Sequence, residues 1–345
     1  MPAVNFSNLT PGMVIEKNLY SSNGVFLLPK DTVLTQHIIY YLTKWDLEHV
    51  NIVNEPKETI EDRKEKDQKK YDTYHLATEK IIKFMDGLKG CNKLKLDEVR
   101  NVVNEIMQFK DIHEALQVIN KLKDEDHYTY QHCINVAIYT MFLGRWLALD
   151  TSSLKKLVYA ALLHDIGKNR ISPNIIMKPG KLTDDEFSEI KKHTIYGYNI
   201  VRYHTYFCHD ITLGILQHHE KEDGSGYPFG IKKNKIHFYA KIIAVSDIFD
   251  AMTSKRVYKD RQSPFKTAEL LLSSSYGQLD PFIVSTFIKK MADFYIGSSI
   301  VLNDGRVGRI VMKNPTEPTR PLIKIKDQFI DLSNEGDLYV QDILY

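Results

Sequence analysis

The sequence predicts a mainly α protein, a helical bundle core with small β-containing modules at its N- and C-terminal ends, and three observations carry that prediction. Between about residues 74 and 294 apolar residues recur at helical spacing, interrupted by helix-start signals. From Leu9 to Val53 the pattern is instead one of short apolar runs cut by turn residues. After Ile300 the short-run pattern returns.

Taken in order, Pro11-Gly12 and Ser22-Asn23-Gly24 bracket strand-like runs at Val14-Ile15 and Val25 to Leu28. Thr35 to Trp45 has helical spacing and Val50 to Val53 reads as a returning strand, giving a small α/β module over residues 1–56. Residues 57–73 are almost wholly charged or polar, a linker or the exposed start of a helix. Within 74–294, Thr183 and Glu186 have capping-box spacing, each side chain satisfying an amide that the first helical turn orphans. Ser263-Pro264 and Asp280-Pro281 each set a capping side chain before a proline at the first helical position. Residues 295–345 contain runs at Ile300 to Leu302, Val307 to Met312, Leu322 to Ile325 and Phe329 to Leu332, with a turn at Asn303-Asp304-Gly305, and predict a small antiparallel sheet or barrel.

With 345 residues, 43% of them hydrophobic, the chain can bury a full core in two or three units. Its 46 basic and 44 acidic residues nearly balance, so no broad cationic face advertises a nucleic acid polymer or a membrane surface, and the expected ligand is small. Cys91, Cys133 and Cys208 are too few and scattered for a disulfide frame, which fits a reducing cytoplasm. Neither a signal sequence nor a membrane span is expected: Arg145 interrupts the most apolar stretch, Val136 to Leu149.

The chemistry-bearing residues are imidazoles and carboxylates. His132 falls on a helix with the apolar face Val136, Ala137, Thr140 and Leu143; His164-Asp165 closes another apolar helix; His193, His218-His219 and Asp247 follow. Hard divalent ions in hydrolases take such ligands, best with one carboxylate shared between two ions. Adjacent histidines can serve one ion only at a helix end, and the glycines and proline after His219 supply one. Lys168, three residues past Asp165, projects from the same side of the turn, where a cation can hold a phosphate oxygen.

The strings Ala-Leu-Leu-His164-Asp165-Ile-Gly-Lys168 and His218-His219-Glu220 through Gly226-Tyr227-Pro228 resemble the two signatures of the HD-GYP domain, a subgroup of the HD superfamily of metal-dependent phosphohydrolases. Tyr128-Thr-Tyr-Gln-His132 and Ser246-Asp247 through Lys259 match as well, and residues 6–53 resemble a small domain often found ahead of such domains. The resemblance implies an HD-type bundle and two divalent ions, iron favoured over manganese: one on His132, His164, Asp165 and Asp247, the other on Asp165, His193, His218 and His219. A third ion in some members uses a carboxylate where this chain has Tyr128.

It further implies hydrolysis of cyclic di-GMP to the linear dinucleotide, and onward to GMP in some members, by a hydroxide held between the ions. Asp165 and Lys168 are then catalytic, while Lys168, Gly226, Tyr227, Arg256 and Lys259 contact substrate. Alternatives are another cyclic dinucleotide such as cyclic GMP-AMP, or a non-catalytic adaptor that binds diguanylate cyclases of the GGDEF type. Either terminal module is a candidate for homodimerisation. Glu220 is expected to support a histidine ligand, and Glu222 and Asp223 to be solvated turn residues. Lys241 stands where relatives often have arginine, and Cys133 where serine is usual. His37, His49, His75, His113, His127, His204, His209 and His237 are read as surface or packing residues.

Overall fold

The computed structural model describes residues 3–17, 19–20, 26–28, 32, 34, 38–39, 42, 47, 49–52, 96–112, 115–116, 119, 128–204, 206–254, 262–326 and 328–344. The chain divides into two compact units, Met1–Gln68 and Lys69–Tyr345. The charged stretch 57–73 lies outside the described residues.

The first unit contains β1 (Ala3–Asn5), β2 (Leu19–Tyr20), β3 (Phe26–Leu28) and β4 (His49–Asn51). β1 pairs antiparallel with β4, β2 with β3, and Ile15 bridges to Ile52. Its own core gathers Leu9, Ile15, Leu34, Leu42, Val50 and Ile52.

The second unit is built on helices: α1 (Leu96–Gln108), α2 (Tyr128–Trp146), α3 (Thr151–Leu163), the single turn α4 (Pro173–Ile176), α5 (Asp184–Lys191), α6 (His193–Val201), α7 (His209–Gln217), α8 (Phe238–Thr253), α9 (Pro264–Ser274) and α10 (Pro281–Phe294). The capping box at Thr183 and Glu186 forms, and Ser263 and Asp280 accept from the first-turn amides of α9 and α10. Asp150 does the same for α3, through Ser152 N at 2.9 Å and Ser153 N at 3.1 Å. Along α3 every residue from Leu157 to Leu163 is buried, and α8 is buried on nearly all sides from Tyr239 to Asp250. Such all-round apolar helices sit at the centre of a bundle. Here α3 packs against α2 and α7, and α8 against α2 and α7, so polar side chains on these helices face one another in a dry interior. Among the described residues no helix is long and apolar enough to cross a membrane.

The chain ends in a five-stranded antiparallel sheet of β5 (Ser299–Leu302), β6 (Val307–Met312), β7 (Leu322–Ile325), β8 (Gln328–Asp331) and β9 (Val340–Leu344), ordered β8-β7-β6-β5-β9. Ile300, Ile310, Ile323 and Ile343 join the same apolar core as the helices. Ser263 Oγ, at the start of α9, donates to Val340 O at 3.0 Å.

Candidate metal centre

Three helix C-termini aim three imidazoles the same way. The last carbonyls of an α-helix have no intrahelical partner. In α3 that of Ala161 accepts from His164 Nδ1, in α5 that of Ile190 from His193 Nδ1, and in α7 that of Ile215 from His218 Nδ1, each at 2.7 Å. A carbonyl can only accept, so each Nδ1 carries the proton and each Nε2 presents a lone pair. His132, on α2, is anchored differently: its Nδ1 lies 2.8 Å from Asp250 Oδ2.

Between these lone pairs sits Asp165, which follows the end of α3. Its Oδ2 is 3.7 Å from His132 Nε2 and 3.4 Å from His164 Nε2, while its Oδ1 is 3.4 Å from His193 Nε2. Each oxygen of one carboxylate thus faces a different group of imidazoles. Two clusters have ligand atoms mutually within 4.8 Å: His132, His164 and Asp247, and Asp165, His193, His218 and His219. Asp247 joins them, with Oδ1 3.1 Å from His132 Nε2 and Oδ2 3.9 Å from His219 Nδ1.

The electrostatics of this cluster call for cations. Burial drives down the pKa of His193 to about 4 and of His219 to about 3, and holds His218 well below the ordinary histidine range. Those imidazoles are neutral, the form that binds metals. His193 Nε2 and His218 Nε2 are nevertheless 3.3 Å apart with both ring protons committed to carbonyls, so two lone pairs confront each other. His164 Nε2 and Asp165 Oδ1 are buried without a hydrogen-bond partner. Burial opposes ionisation of Asp165, but the Lys168 ammonium, with Nζ 2.5 Å from Oδ2, outweighs it and keeps the carboxyl well below its usual range. Burial likewise opposes protonation of His132, and Asp247 and Asp250 reverse the effect, pushing it up to about 9. An all-nitrogen-and-oxygen donor set of this kind fits hard or borderline divalent ions.

Residues 117–283 match the family model of the HD domain. That stretch, just under half of the chain, is similar to HD domains and carries both ligand clusters. It is 32% identical over 238 residues to a cyclic di-GMP phosphodiesterase of Pseudomonas aeruginosa, covering 64% of this chain and 56% of that one. It is also 36% identical over 156 residues to a 3'3'-cGAMP-specific phosphodiesterase of Vibrio cholerae, covering 45% of this chain and 33% of the other. The chain spans about half the length of the curated relatives it matches first. In fold it resembles the solved structure of an HD-GYP-type protein from Bdellovibrio bacteriovorus, with TM-score 0.50, 18% identity, and coverage of 83% of this chain and 97% of that one.

The loop that follows the second histidine cluster begins where α7 ends, so the His218-His219 pair occupies a helix end. Gly226 is required by close approach: a Cβ there would lie 2.4 Å from Lys221 N and 2.5 Å from His219 O. This approach lets Tyr227 N donate to His219 O at 3.1 Å and sets the Tyr227 ring 4.7 Å from the His219 ring at 33°. Glu220 does not support a histidine as expected. Its two oxygens accept from Phe229 N at 2.7 Å and Ile231 N at 3.1 Å, so a buried carboxylate braces the far side of the loop. Glu222 is also not a solvated turn residue: it is buried and meets Lys241 Nζ at 2.6 Å, while the same ammonium lies 3.3 Å from Asp280, the cap of α10. Asp223 is exposed and accepts from Ser225 N at 2.8 Å.

Gly167 performs a similar service on the other side. A Cβ there would come within 1.9 Å of His193 O and 2.5 Å of Gly197 N, so only glycine lets the turn Ile166–Arg170 lie against the start of α6 and bring His193 to Asp165. The sequence reading missed this and also missed Asp250, whose signal was a second acid one helical turn after Asp247. Arg256 and Lys259 lie outside the described residues, as do His37, His75, His113, His127 and the side chain of Tyr128. His49 lies in β4, and His237 caps α8 by accepting from Tyr239 N at 3.2 Å. Cys133 is buried beside the cluster, and burial pushes its thiol pKa up.

Proposed function

We propose that this chain is a phosphodiesterase that hydrolyses cyclic di-GMP to the linear dinucleotide at a two-ion centre. The carrying observation is Asp165, one carboxylate with each oxygen turned to a separate set of imidazoles. His132, His164, Asp165 and Asp247 would hold one ion, and Asp165, His193, His218 and His219 the other. When bound, a pair of divalent ions lowers the pKa of water between them and offsets charge on phosphoryl oxygens.

The chain's own residues do the rest. Three backbone carbonyls and Asp250 fix four of the five imidazoles before any ion arrives, which limits the reorganisation needed at the moment of reaction. Lys168, its side chain 30% exposed against 1% for Asp165, reaches the cluster from the solvent side and offers an ammonium to an incoming phosphate. Tyr227, stacked on His219, forms a wall of the approach. Iron or manganese suits the donors equally.

Purified chain loaded with Fe²⁺ or Mn²⁺ is expected to convert cyclic di-GMP to linear pGpG, and Asp165→Ala to lose both metal and turnover. No product with either ion would refute the reading. The cGAMP-specific relative favours a second substrate of the same class; competition between cyclic di-GMP and cyclic GMP-AMP decides which has the larger kcat/KM. An adaptor for diguanylate cyclases would instead keep its binding in the metal-free Asp165→Ala protein, a pull-down distinction.

A further inference from the structure

Asp250 lies one helical turn beyond Asp247 on α8, fully buried, and meets the cluster only from behind. Its Oδ2 faces His132 Nδ1 at 2.8 Å; its Oδ1 accepts from Asn135 Nδ2 and Ser254 Oγ, both at 3.0 Å. Both oxygens meet donors, which is the pattern of an ionised carboxylate. His164, His193 and His218 have only neutral carbonyls behind them. An imidazole backed by a carboxylate donates its lone pair more strongly than one backed by a carbonyl.

The two clusters consequently differ in charge. Asp165 is common to both. Beyond it, the His132 cluster has Asp247 among its donors and Asp250 behind one of them, whereas His193, His218 and His219 bring no carboxylate of their own. His219 is also the most exposed member, with 28% of its side chain exposed against 5% or less for His132, His164 and His193.

We infer that the two positions hold their ions unequally: the His132–His164–Asp247 position fills first, and Asp250 is the positioning residue that makes it so. This rests on the two-ion reading above, and its test reads metal binding without activity. Metal-stripped full chain is titrated with Mn²⁺ and followed by calorimetry and electron paramagnetic resonance. At one equivalent the expected signal is that of isolated ions, with the coupled-pair signal growing towards the second equivalent. Asp247→Asn should remove the first step, and His218→Ala the second.

Asp250→Asn keeps the shape and removes the charge; it should weaken the first step by about 10- to 100-fold and leave the second nearly unmoved. Ser254→Ala, which frees the carboxylate from a competing donor, should strengthen the first step and serves if Asp250→Asn does not fold. Coupled pairs from the first addition overturn the ranking, as does a first step unaltered in Asp250→Asn or, where that does not fold, in Ser254→Ala. A wild-type chain that binds no ion overturns the two-ion reading and the ranking with it, whereas two equal ions overturn the ranking alone.

Discussion

Replacing Gly167 with alanine tests whether the turn after Asp165 is what delivers His193. The added methyl would lie 1.9 Å from His193 O, where ordinary contact begins at 3.4 Å, so turn and helix must part by about 1.5 Å. Overpacking of this kind costs about 1–3 kcal/mol, and misplacing a reacting or ligating group by about 1 Å can cost on the order of 100-fold in rate. The strain falls on one side of the centre, because the contact is with the backbone of His193 itself while His132 and Asp247 stand on α2 and α8 and His164 caps the end of α3. Gly167→Ala should therefore lower the melting temperature, reduce bound metal towards one ion per chain, and cut the proposed hydrolysis of cyclic di-GMP on the order of 100-fold. Gly336→Ala is the control, since nothing lies within 4 Å of its added methyl. Elemental analysis alongside thermal unfolding and turnover provides the readout; two ions and a wild-type rate in Gly167→Ala would refute the close-approach argument.

Two further outcomes probe the loop. Glu220→Gln replaces one of two acceptor oxygens with an amide NH2, leaving Phe229 N or Ile231 N facing a donor; it should cost about 1–3 kcal/mol and speed hydrogen exchange at these two amides, and unchanged exchange would show that the carboxylate does not brace the loop. For Lys241, burial disfavours the ammonium but Glu222 and Asp280 outweigh it, raising its pKa above the ordinary 10.5. A raised folded-state pKa gives stability that is full below the unfolded value and lost as pH rises through the folded one. Lys241→Met should thus be less stable than wild type near neutrality, with the gap in urea midpoint narrowing above pH 10.5; an equal gap on both sides of that value would contradict the ion pair.

What could be read from the sequence was what short stretches determine. Thr183 with Glu186, Ser263-Pro264 and Asp280-Pro281 state their helix starts locally, and each cap is formed. The mainly helical fold with β-containing ends followed from periodicity for the same reason. Contacts between distant segments were not legible. Nothing near Glu220 announces that its partners are Phe229 and Ile231, because that depends on the path of the whole loop. A glycine at 167 shows that a side chain is missing, not that the carbonyl of His193 occupies its place. The runs after Ile300 alternate like those of an independent sheet, yet Ile300 and Ile343 share a core with the helices, since burial of a strand's second face depends on what packs there.

The same distinction explains why the histidines were visible and their orientation was not. An imidazole needs its ring fixed before it can share an ion, and a side chain on a helix has rotamers to lose. This chain solves the problem three times with groups that every helix already has: carbonyls of the last turn, at Ala161, Ile190 and Ile215. Placing the histidine three residues after the acceptor puts Nδ1 on that carbonyl and points Nε2 beyond the helix end. Where three such ends converge, lone pairs converge as well. His132 stands within a helix, at a position where backbone carbonyls are already taken, and so needs a side-chain acceptor, which Asp250 supplies from α8. A carboxylate behind one imidazole and carbonyls behind three are therefore consequences of where each histidine falls on its helix, and the charge asymmetry between the two positions follows from that placement.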